Sequence, residues 1–571
     1  MVYYDFLYDD LLAGNDDGGG GGGSTAFVYG YDHDLAISSG DGMYKAVVLE
    51  ADQATYLYPS SLAQMPCHAV KPCVMSDCAN RTVAYYLNPS DITKKTDGTA
   101  ATLTGADGDV MVEYPVSHYR IDAYIDANGH NHEVFLMSRQ AFGGSAVWPG
   151  FYISDGGATA RAQYVGMYQA QIDGNGKLRS ISGVLPTVSK SAKQYNDAAK
   201  LNGGTLTNDL MYQWIFHLLI VEHLSCNSQA AVSVGFVNMS STAWKNFYPR
   251  YTGRTNAIPY EGEVMADEHV GGADLDLVGY WSSSIVSEGK TWTRELTQDA
   301  TGAYAWKNGS SYRWTADGEP AAGATTYSDN TLTTEASTVT SLSLPKKVVA
   351  CKYQIENPWG SLWAQLAGVQ KYQNATEADI TSDGVQYFRY EDGDNEGVSY
   401  AWKSAGDVVI YTADTHPAVN AATYSDNTLT TNRGKPVTAF DDDYSQSGYW
   451  FTTDTSKYDL LFANLNPGAD HSHFPAIGYT PDSIAWVSLP WPKGGGYVKV
   501  WDERTFYPTN VSGGSSTTYL ADNFYNNAQV GARCVLRGGL ASSGTSAGFG
   551  YVSVGDAVGN AHANAGGRLS A

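Results

Sequence analysis

The sequence has few positive charges and no long apolar segment. Its 571 residues include 35 Lys or Arg and 59 Asp or Glu, which gives a net charge of −24. This balance argues against nucleic acid or an anionic membrane surface as a partner, because no basic patch dominates. The acid excess itself favours solubility. No run of about 18 apolar residues occurs, so we expect no membrane insertion.

Cysteine is also scarce, with six residues in the whole chain, which excludes a disulfide scaffold. Three of them, Cys67, Cys73 and Cys78, lie close together, and His68 follows the first. A zinc site is one interpretation, but the spacing lacks a Cys-x-x-Cys pair and favours structural thiols. We therefore expect neither a metal nor a cofactor.

Aromatic and small residues are abundant instead, with 41 Tyr, 14 Trp and 61 Gly. This composition favours strands and loops. The segments AFVYGYD, YKAVVLE, TVAYYL and VMVEYPV, separated by Gly- and Asp-rich turns, predict a β-rich amino-terminal part over 24–120. HEVFLM and AQYVGMYQA predict further strands. The sequence therefore predicts an α+β, β-rich fold.

The amino terminus joins an aromatic, acidic peptide to a glycine tether. Residues 1–14 read MVYYDFLYDDLLAG, without the basic and apolar regions of a secretory signal, and six glycines occupy 18–23. A glycine run is flexible, so this peptide has no core of its own. We predict that 1–23 is an anchor that docks on another protein or a sister subunit through Tyr3, Tyr4, Phe6 and Tyr8. A disordered tail is the alternative.

One long helix is predicted from Leu206, in the segment LTNDLMYQWIFHLLIVEHLSCNSQAA. Thr207 or Asn208 can cap it, and its apolar residues lie nearly all round, which predicts a buried helix. Glu222 and His223 form a possible acid–base pair. Satisfied core or interface groups are the favoured interpretation of these two residues.

The chain then repeats itself. YAWK occurs at 304–307 and at 400–403, and YSDNTLTT occurs at 327–334 and at 424–431. Many Thr, Tyr and Gly residues in each copy predict small β modules. Two copies are too few for a solenoid, so we predict two modules, at about 288–345 and 386–443, inserted into one parent domain over 121–571.

The segment CKYQIENPWGSLWAQLAGV, from Cys351, lies between the two copies. Asn357 can cap a helix with Pro358 at its first position. Trp359 and Trp363 are one turn apart, as are Leu362 and Leu366. The spacing predicts a short helix whose tryptophans fix a loop platform.

Polar residues alternate with Gly, Ala and Val in the final segment, ASSGTSAGFGYVSVGDAVGNAHANAGG. Period two sends such residues to one face of an extended chain, where they can hydrogen-bond and stack on a ligand. A polar strand edge without a ligand is the alternative. The predicted binding residues are Ser542, Ser543, Thr545, Tyr551, Ser553, Asn560, His562 and Asn564.

Several motifs resemble a known family. IENPWGSLWAQLAG (355–368), RCVLRGG (533–539) and AGGRLS (565–570) are similar to the formylglycine-generating-enzyme branch of the C-type lectin fold. Upstream segments such as YYLNPSDITKKTDGTAATLTGADGDVMVEYP (85–115), SGVLPTVSKSAKQYNDAAKLNGG (182–204) and TGRTNAIP (252–259) resemble bacteriophage tail and fibre proteins built on this fold. Together the motifs span about 85–571.

The resemblance implies a C-type-lectin-like domain that displays its carboxy-terminal loops. It implies a virion surface protein, a tail fibre or a head fibre, made in the host cytoplasm. Its partners would be other virion proteins, through residues 1–23, and a glycan or protein receptor on the bacterial host. We expect a homotrimer or another oligomer, because weak contacts gain from multiplicity. The final segment is similar to the variable region of proteins diversified by phage retroelements.

Two other functions stay open. The chain could be a structural or decoration protein of the phage head or tail that binds no receptor. A formylglycine-generating-type enzyme is less favoured, because that family uses a pair of cysteines and Cys534 is the only cysteine after Cys351. We therefore expect no catalytic residues. Glu356-Asn357-Pro358 and the acidic run Asp441–Asp443 are reminiscent of lectin calcium sites, but further oxygen ligands cannot be placed, so a helix cap is favoured.

Overall fold

The structure is a computed structural model. It describes residues 27–38, 42–50, 55–60, 70–152, 160–237, 252–253, 351–373, 506, 515, 522–525, 531–541, 543–556, 559–562 and 564–571, and, between residues 265 and 510, the backbone of the strands given below. The predicted anchor residues Tyr3, Tyr4, Phe6 and Tyr8 lie outside the described residues. Within the described part, no helix has the length and apolarity needed to cross a membrane.

The described residues up to 237 form fourteen short strands, three α-helices and the 3-10 helix Pro149–Tyr152. The strands are β1 (Val28–Asp34), β2 (Tyr44–Leu49), β3 (Tyr56–Leu57), β4 (Lys71–Asp77), β5 (Thr82–Asn88), β6 (Asp91–Lys95), β7 (Asp109–Tyr114), β8 (His118–Ile125), β9 (Asn131–Ser138), β10 (Ala146–Val147), β11 (Gln163–Gly166), β12 (Gln171–Ile172), β13 (Leu178–Arg179) and β14 (Thr205–Leu206). The helices are α1 (Ala192–Leu201), α2 (Asp209–His223) and α3 (Ser228–Ala231).

The described elements of the remaining chain are strands, apart from the 3-10 turn Gly544–Ser546. They are β15 (Met265–Asp267), β16 (Ser284–Ser287), β17 (Lys290–Gln298), β18 (Tyr304–Asn308), β19 (Ser311–Thr315), β20 (Lys347–Val349), β21 (Cys351–Lys352), β22 (Ile355–Glu356), β23 (Trp363–Gln373), β24 (Ala378–Ser382), β25 (Val385–Asn395), β26 (Val398–Ser404), β27 (Val409–Thr412) and β28 (Thr423–Tyr424). There follow β29 (Asp459–Ala463), β30 (Ala485–Ser488), β31 (Gly496–Tyr497), β32 (Val500–Trp501), β33 (Pro508–Asn510), β34 (Asn523–Tyr525), β35 (Gly531–Gly538), β36 (Gly548–Ser553), β37 (Ala565–Gly566) and β38 (Leu569–Ser570).

Two antiparallel sheets form most of the first part. The six-stranded sheet has the order β10-β8-β9-β1-β2-β3, and the seven-stranded sheet has the order β14-β38-β11-β7-β4-β5-β6. The predicted segments AFVYGYD, YKAVVLE, TVAYYL and VMVEYPV correspond to β1, β2, β5 and β7. The prediction of a β-rich chain with few helices is confirmed.

The last residues of the chain complete the seven-stranded sheet. Ser570 of β38 pairs with Val165 of β11 and with Thr205 of β14. The Arg81 guanidinium donates to the carbonyl oxygen of Ala571 at 2.9 Å. The predicted boundary at residue 120 falls inside β8, so the sheets show no break there.

The long helix α2 is the buried centre of the fold. The Asn208 side chain accepts a hydrogen bond from the Leu210 N–H at 2.8 Å and caps the helix. Phe135 of β9 stacks on His217 with ring centroids 3.8 Å apart, and Phe549 of β36 stacks on Phe216 at 5.9 Å. Because strands of different sheets pack on different sides of α2, apolar residues are needed around its whole circumference. The predicted buried helix is confirmed.

The helix predicted after Asn357 is wrong. Asn357, Gly360 and Ser361 have φ angles of +48°, +71° and +58°, in the left-handed region that interrupts a helix. Asn357 is therefore a turn residue rather than a cap. The chain continues as β23, which pairs with β29 on one side and with β35 on the other, so strand pairing decides the local structure.

Strand β23 belongs to an eight-stranded sheet with the order β30-β29-β23-β35-β36-β34-β31, in which β37 also pairs with β23. Ala364 is opposite Arg537 of β35, and Gly566 of β37 is also beside Ala364. The three motif segments 355–368, 533–539 and 565–570, which are far apart in sequence, are therefore direct neighbours in space.

The two YAWK copies lie on two further sheets. The first copy of YAWK is in β18, within the four-stranded order β16-β17-β18-β19. The second copy is in β26, within the five-stranded order β24-β25-β26-β27-β28. The remaining described pairs are β12-β13, β15-β20, β21-β22 and β32-β33.

Candidate binding surface

The predicted binding residues that the structure describes lie on three connected pieces of the chain. These are the turn at 540–546, strand β36 and the loop at 559–564. The Ser543 hydroxyl closes the turn, because it accepts a hydrogen bond from the Leu540 N–H at 2.9 Å. Thr545, in the 3-10 turn Gly544–Ser546, is exposed. Ser542 lies outside the described residues.

Tyr551 of β36 links the turn to the loop. Its half-buried ring meets Trp363 edge-on, with centroids 4.6 Å apart. Gly539 leaves room for this ring, since a Cβ there would come within 3.0 Å of Tyr551. The Trp363 N–H donates to the Asn564 carbonyl at 2.9 Å. One tryptophan therefore supports both Tyr551 and the loop.

The loop at 559–564 presents polar groups. Asn560 is exposed, and the His562 imidazole, 44% exposed, lies with Nε2 3.0 Å from Asp556 Oδ1. The Asp556 carboxylate raises the pKa of His562, which outweighs the opposite effect of partial burial. The Ser189 N–H donates to the His562 carbonyl at 3.0 Å and ties the loop to the segment before α1.

Ser553 is not on this surface. It is 3% exposed and lies opposite Leu536 of β35 and Tyr525 of β34. Tyr551, two residues earlier, is half-buried, whereas Ser553 is fully buried, so period two does not bring Ser553 to solvent. The prediction of Ser553 as a binding residue is therefore wrong.

The other described binding residues gather at one end of the eight-stranded sheet. Strand β35 ends there at Gly538, while β23 and β36 begin there at Trp363 and Gly548. We define the C-terminal surface as Ser543, Thr545, Tyr551, Asn560, His562 and Asn564.

Two buried arginines fix the frame beneath the C-terminal surface. Arg568 is 5% exposed and donates to four carbonyl oxygens, those of Gly166, Met167, Glu356 and Asn357, at 2.7–3.2 Å. Burial lowers its pKa to about 10, although nearby Tyr212 and Glu356 oppose the shift. Arg568 therefore holds the turn at 356–357 against the strand that ends at Gly166.

Arg537 holds the same frame from the helix side. Its Nε lies 2.6 Å from Asp209 Oδ1, and both side chains are almost fully buried. Asp209 also accepts a hydrogen bond from Gln213 at 2.6 Å. The Tyr212 hydroxyl, one turn away, donates to the Pro358 carbonyl. The start of α2 is thereby tied to β35 and to the turn before β23.

A buried carboxyl lies directly below β36. Asp522 is 1% exposed, and its Oδ2 accepts a hydrogen bond from the Gly550 N–H at 2.7 Å. Burial raises the pKa of Asp522 to about 8, against the lowering effects of the Gly550 N–H and of Arg537. Gly548 is required beside it, since a Cβ there would come within 2.2 Å of the carboxylate.

The raised pKa of Asp522 predicts a pH-dependent effect of Asp522→Asn. The folded protein keeps the proton up to about pH 8, while the unfolded chain loses it near the usual value of 3.8, so wild-type stability falls as pH rises between these values. The asparagine amide does not titrate, so the variant does not show this fall in stability. We expect the stability of the variant relative to wild type to grow by roughly 2–4 kcal/mol between about pH 5 and pH 9.

Urea unfolding at the two pH values measures this difference. Asp197→Asn serves as the control, because Asp197 is an exposed carboxylate that pairs with Lys193 on the surface of α1. An equal stability difference at both pH values would show that Asp522 is ionised in the folded protein.

Glu222 and His223 form part of a structural ion pair. Glu222 Oε2 accepts a hydrogen bond from the Tyr353 hydroxyl at 2.8 Å and lies 2.5 Å from Lys352 Nζ. His223 Nε2 is 3.4 Å from the same oxygen. Lys352 is 3% exposed, so the Glu222 charge is neutralised at the end of α2. This arrangement favours the interpretation of Glu222 as a satisfied core group.

The thiol groups are poorly placed for chemistry. Burial raises the pKa of Cys534 far above its ordinary value, and its Sγ lies 3.4 Å from the Asp556 carbonyl. Burial likewise raises the pKa of Cys78, to about 12, while Cys67 lies outside the described residues. Across the described ranges, no three His, Cys, Asp or Glu side chains are grouped to hold a metal ion. The run Asp441–Asp443 lies outside those ranges.

No protein-family model and no curated protein matches this chain. The frame and surface described above therefore rest on the chain's own contacts.

Sequence patterns did not predict the polar groups that hold the frame. Arg537 and Arg568 stand in the quoted motifs, but nothing local shows that their partners are Asp209 and four distant carbonyl groups. Asp522 lies in a loop-like segment without any signal. The surface residues Tyr551, Asn560, His562 and Asn564 were predicted, because small polar residues cluster there.

Proposed function

We propose that this chain is a virion surface fibre protein that binds a receptor on the bacterial host through the C-terminal surface. The observation that carries the proposal is the pairing of β23 with β35 and β37, which joins the motif segments under the loop at 559–564. A lectin-like domain that displays its final loops needs such a frame.

The contacts of the C-terminal surface suit recognition. Tyr551 and Trp363 form a rigid aromatic pair, and the backbone of His562 and Asn564 is hydrogen-bonded to the frame. The exposed Asn560 and half-exposed His562 then supply donors and acceptors with little loss of order on binding. The buried, strongly protonated Cys534 thiol weighs against thiol-based catalysis on the same frame.

Host-cell binding by purified protein tests the proposal. The double variant Asn560→Ala/His562→Ala removes two polar groups from the C-terminal surface without touching the core. If each group makes one contact with the receptor, affinity for host cells should fall about tenfold or more. Fluorescent protein titrated onto cells gives the affinity, and inhibition of phage adsorption gives a second readout.

Gln140→Ala provides the control. Gln140 carries an exposed amide and follows strand β9 of the six-stranded sheet, which contains no residue of the C-terminal surface. This variant should bind host cells like the wild type. Equal binding by wild type and the double variant would reject the C-terminal surface as the receptor site. Association with phage particles but not with host cells would favour the alternative of a decoration protein.

A further inference from the structure

The two repeat modules share strand register as well as sequence. In the first, Trp306 of β18 is opposite Arg294 of β17, and in the second, Trp402 of β26 is opposite Arg389 of β25. Each module has a register shift beyond the arginine, directly after Arg294 in the first and two residues later, after Glu391, in the second. The arginines lie outside the YAWK and YSDNTLTT motifs, so their agreement is an additional match between the copies.

The two modules have more residues in common on one face of their sheets than on the other. Directly opposite residues share a face, and so do residues two apart. The face of Trp306 also carries Tyr304, with Thr315 opposite it, and the face of Trp402 carries Tyr400, with Thr412 opposite it. We call this the Trp–Arg face.

The second face of each module keeps only part of its residues. It carries the alanine and lysine of YAWK, Lys307 and Lys403. The residues opposite these lysines differ between the copies: Thr293 and Tyr312 in the first module, Phe388 and Val409 in the second. The Trp–Arg face varies as well, because Arg313 and Ile410 lie opposite the tryptophans and Gln298 and Glu391 lie opposite the tyrosines. The two cross-strand pairs that both copies retain, Trp–Arg and Tyr–Thr, are on this face.

We propose that each Trp–Arg face binds an acidic glycan. The juxtaposition of one Trp, one Arg and one Tyr on a sheet matches a sugar ring that carries a carboxylate. An indole ring stacks on the apolar face of a sugar, and a guanidinium binds a carboxylate through two parallel hydrogen bonds. Both modules keep the arginine although the whole chain carries a net charge of −24, which otherwise disfavours an acidic polymer.

Duplication gives the site a further property. Two faces for one ligand type in one chain can engage a repeating polymer at two points, which strengthens attachment beyond either contact alone. This site is separate from the C-terminal surface, because it lies on β17–β19 and β25–β27. Substitutions in one site should leave the other site unchanged.

Binding of the full chain to immobilised polygalacturonate and polysialic acid, with neutral dextran as reference, tests the proposal. The wild type should bind at least one acidic polymer and not dextran. Arg294→Ala/Arg389→Ala should weaken that binding about tenfold or more, and either single variant should lose the two-point enhancement. Should the alanine variant unfold, Arg294→Lys/Arg389→Lys keeps the charge without the two-point hydrogen bonding and should still bind more weakly.

Lys307→Ala/Lys403→Ala is the matched control, since it removes the same charge from the second face of the same strands. It should retain binding, and so should Asn560→Ala/His562→Ala. Failure of the wild type to bind either acidic polymer overturns the proposal, and so does an equal loss in the lysine control. Binding of acidic peptides without binding of either polymer would instead assign the Trp–Arg face to a protein partner.

Discussion

Replacing Arg568 by Ala is expected to destabilise the protein by about 4 kcal/mol or more, or to prevent folding. The guanidinium supplies the hydrogen bonds to the carbonyls of Gly166, Met167, Glu356 and Asn357 inside the protein. Its removal leaves these acceptors buried and creates a cavity beside the turn before β23. Chemical unfolding of the purified variant measures the loss.

Arg568→Lys is the informative control. Lysine keeps the positive charge, but it lacks the planar guanidinium that donates hydrogen bonds to two pairs of carbonyl oxygens. If geometry rather than charge stabilises the frame, this variant should lose most of the same stability. A variant with lysine as stable as the wild type would contradict the role assigned to the four carbonyl contacts.

The second large effect is expected for Arg537→Ala, which should cost roughly 3–5 kcal/mol. This substitution leaves the buried Asp209 carboxylate without its guanidinium, while Gln213 remains its neutral partner. The uncompensated charge, more than the lost packing, accounts for the size of the loss. Thermal and urea unfolding give the difference in free energy.

Comparison with a double variant separates the effect of the unpaired charge from the effect of lost packing. Arg537→Met/Asp209→Asn removes both charges and keeps similar volume, so it should be considerably more stable than Arg537→Ala. Equal losses of unfolding free energy in Arg537→Ala and in the double variant would show that the ion pair does not set the stability of the contact between β35 and α2.

The sequence predicted those parts of the fold that depend on local pattern. Strands such as β1 and β7 and the buried helix α2 carry strong periodicity, and Asn208 caps the helix as predicted. The segment after Asn357 has helical spacing as well, yet it forms β23. Its neighbours in the sheet come from about 90 to 200 residues further along the chain, and no local pattern contains them.

The candidate surface was predicted in part for the same reason. The clustering of Tyr551, Asn560, His562 and Asn564 follows from composition, but the burial of Ser553 depends on tertiary packing that the alternating pattern does not contain. The buried groups Arg537, Arg568 and Asp522 form contacts over long sequence separations. Such contacts depend on the tertiary structure, so pattern analysis does not reach them.

These buried groups connect the fold to the proposed function. Arg568 and Arg537 hold the turn at 356–361 and the start of α2, and Trp363 follows that turn. Tyr551 and the loop at 559–564 are placed by Trp363. A receptor-binding surface built in this way is preorganised, which lowers the entropic cost of binding.

The most direct test of the proposed virion role is the position of the loop at 559–564 on a phage particle. The variant Asn560→Cys, labelled with thiol-reactive gold, can be located by electron microscopy, with unsubstituted particles as the control for native thiols. Our account predicts gold at the outer end of the fibre, and competition between gold labelling and host cells. The account would be contradicted if gold failed to label position 560 because that position is enclosed in a contact within the particle.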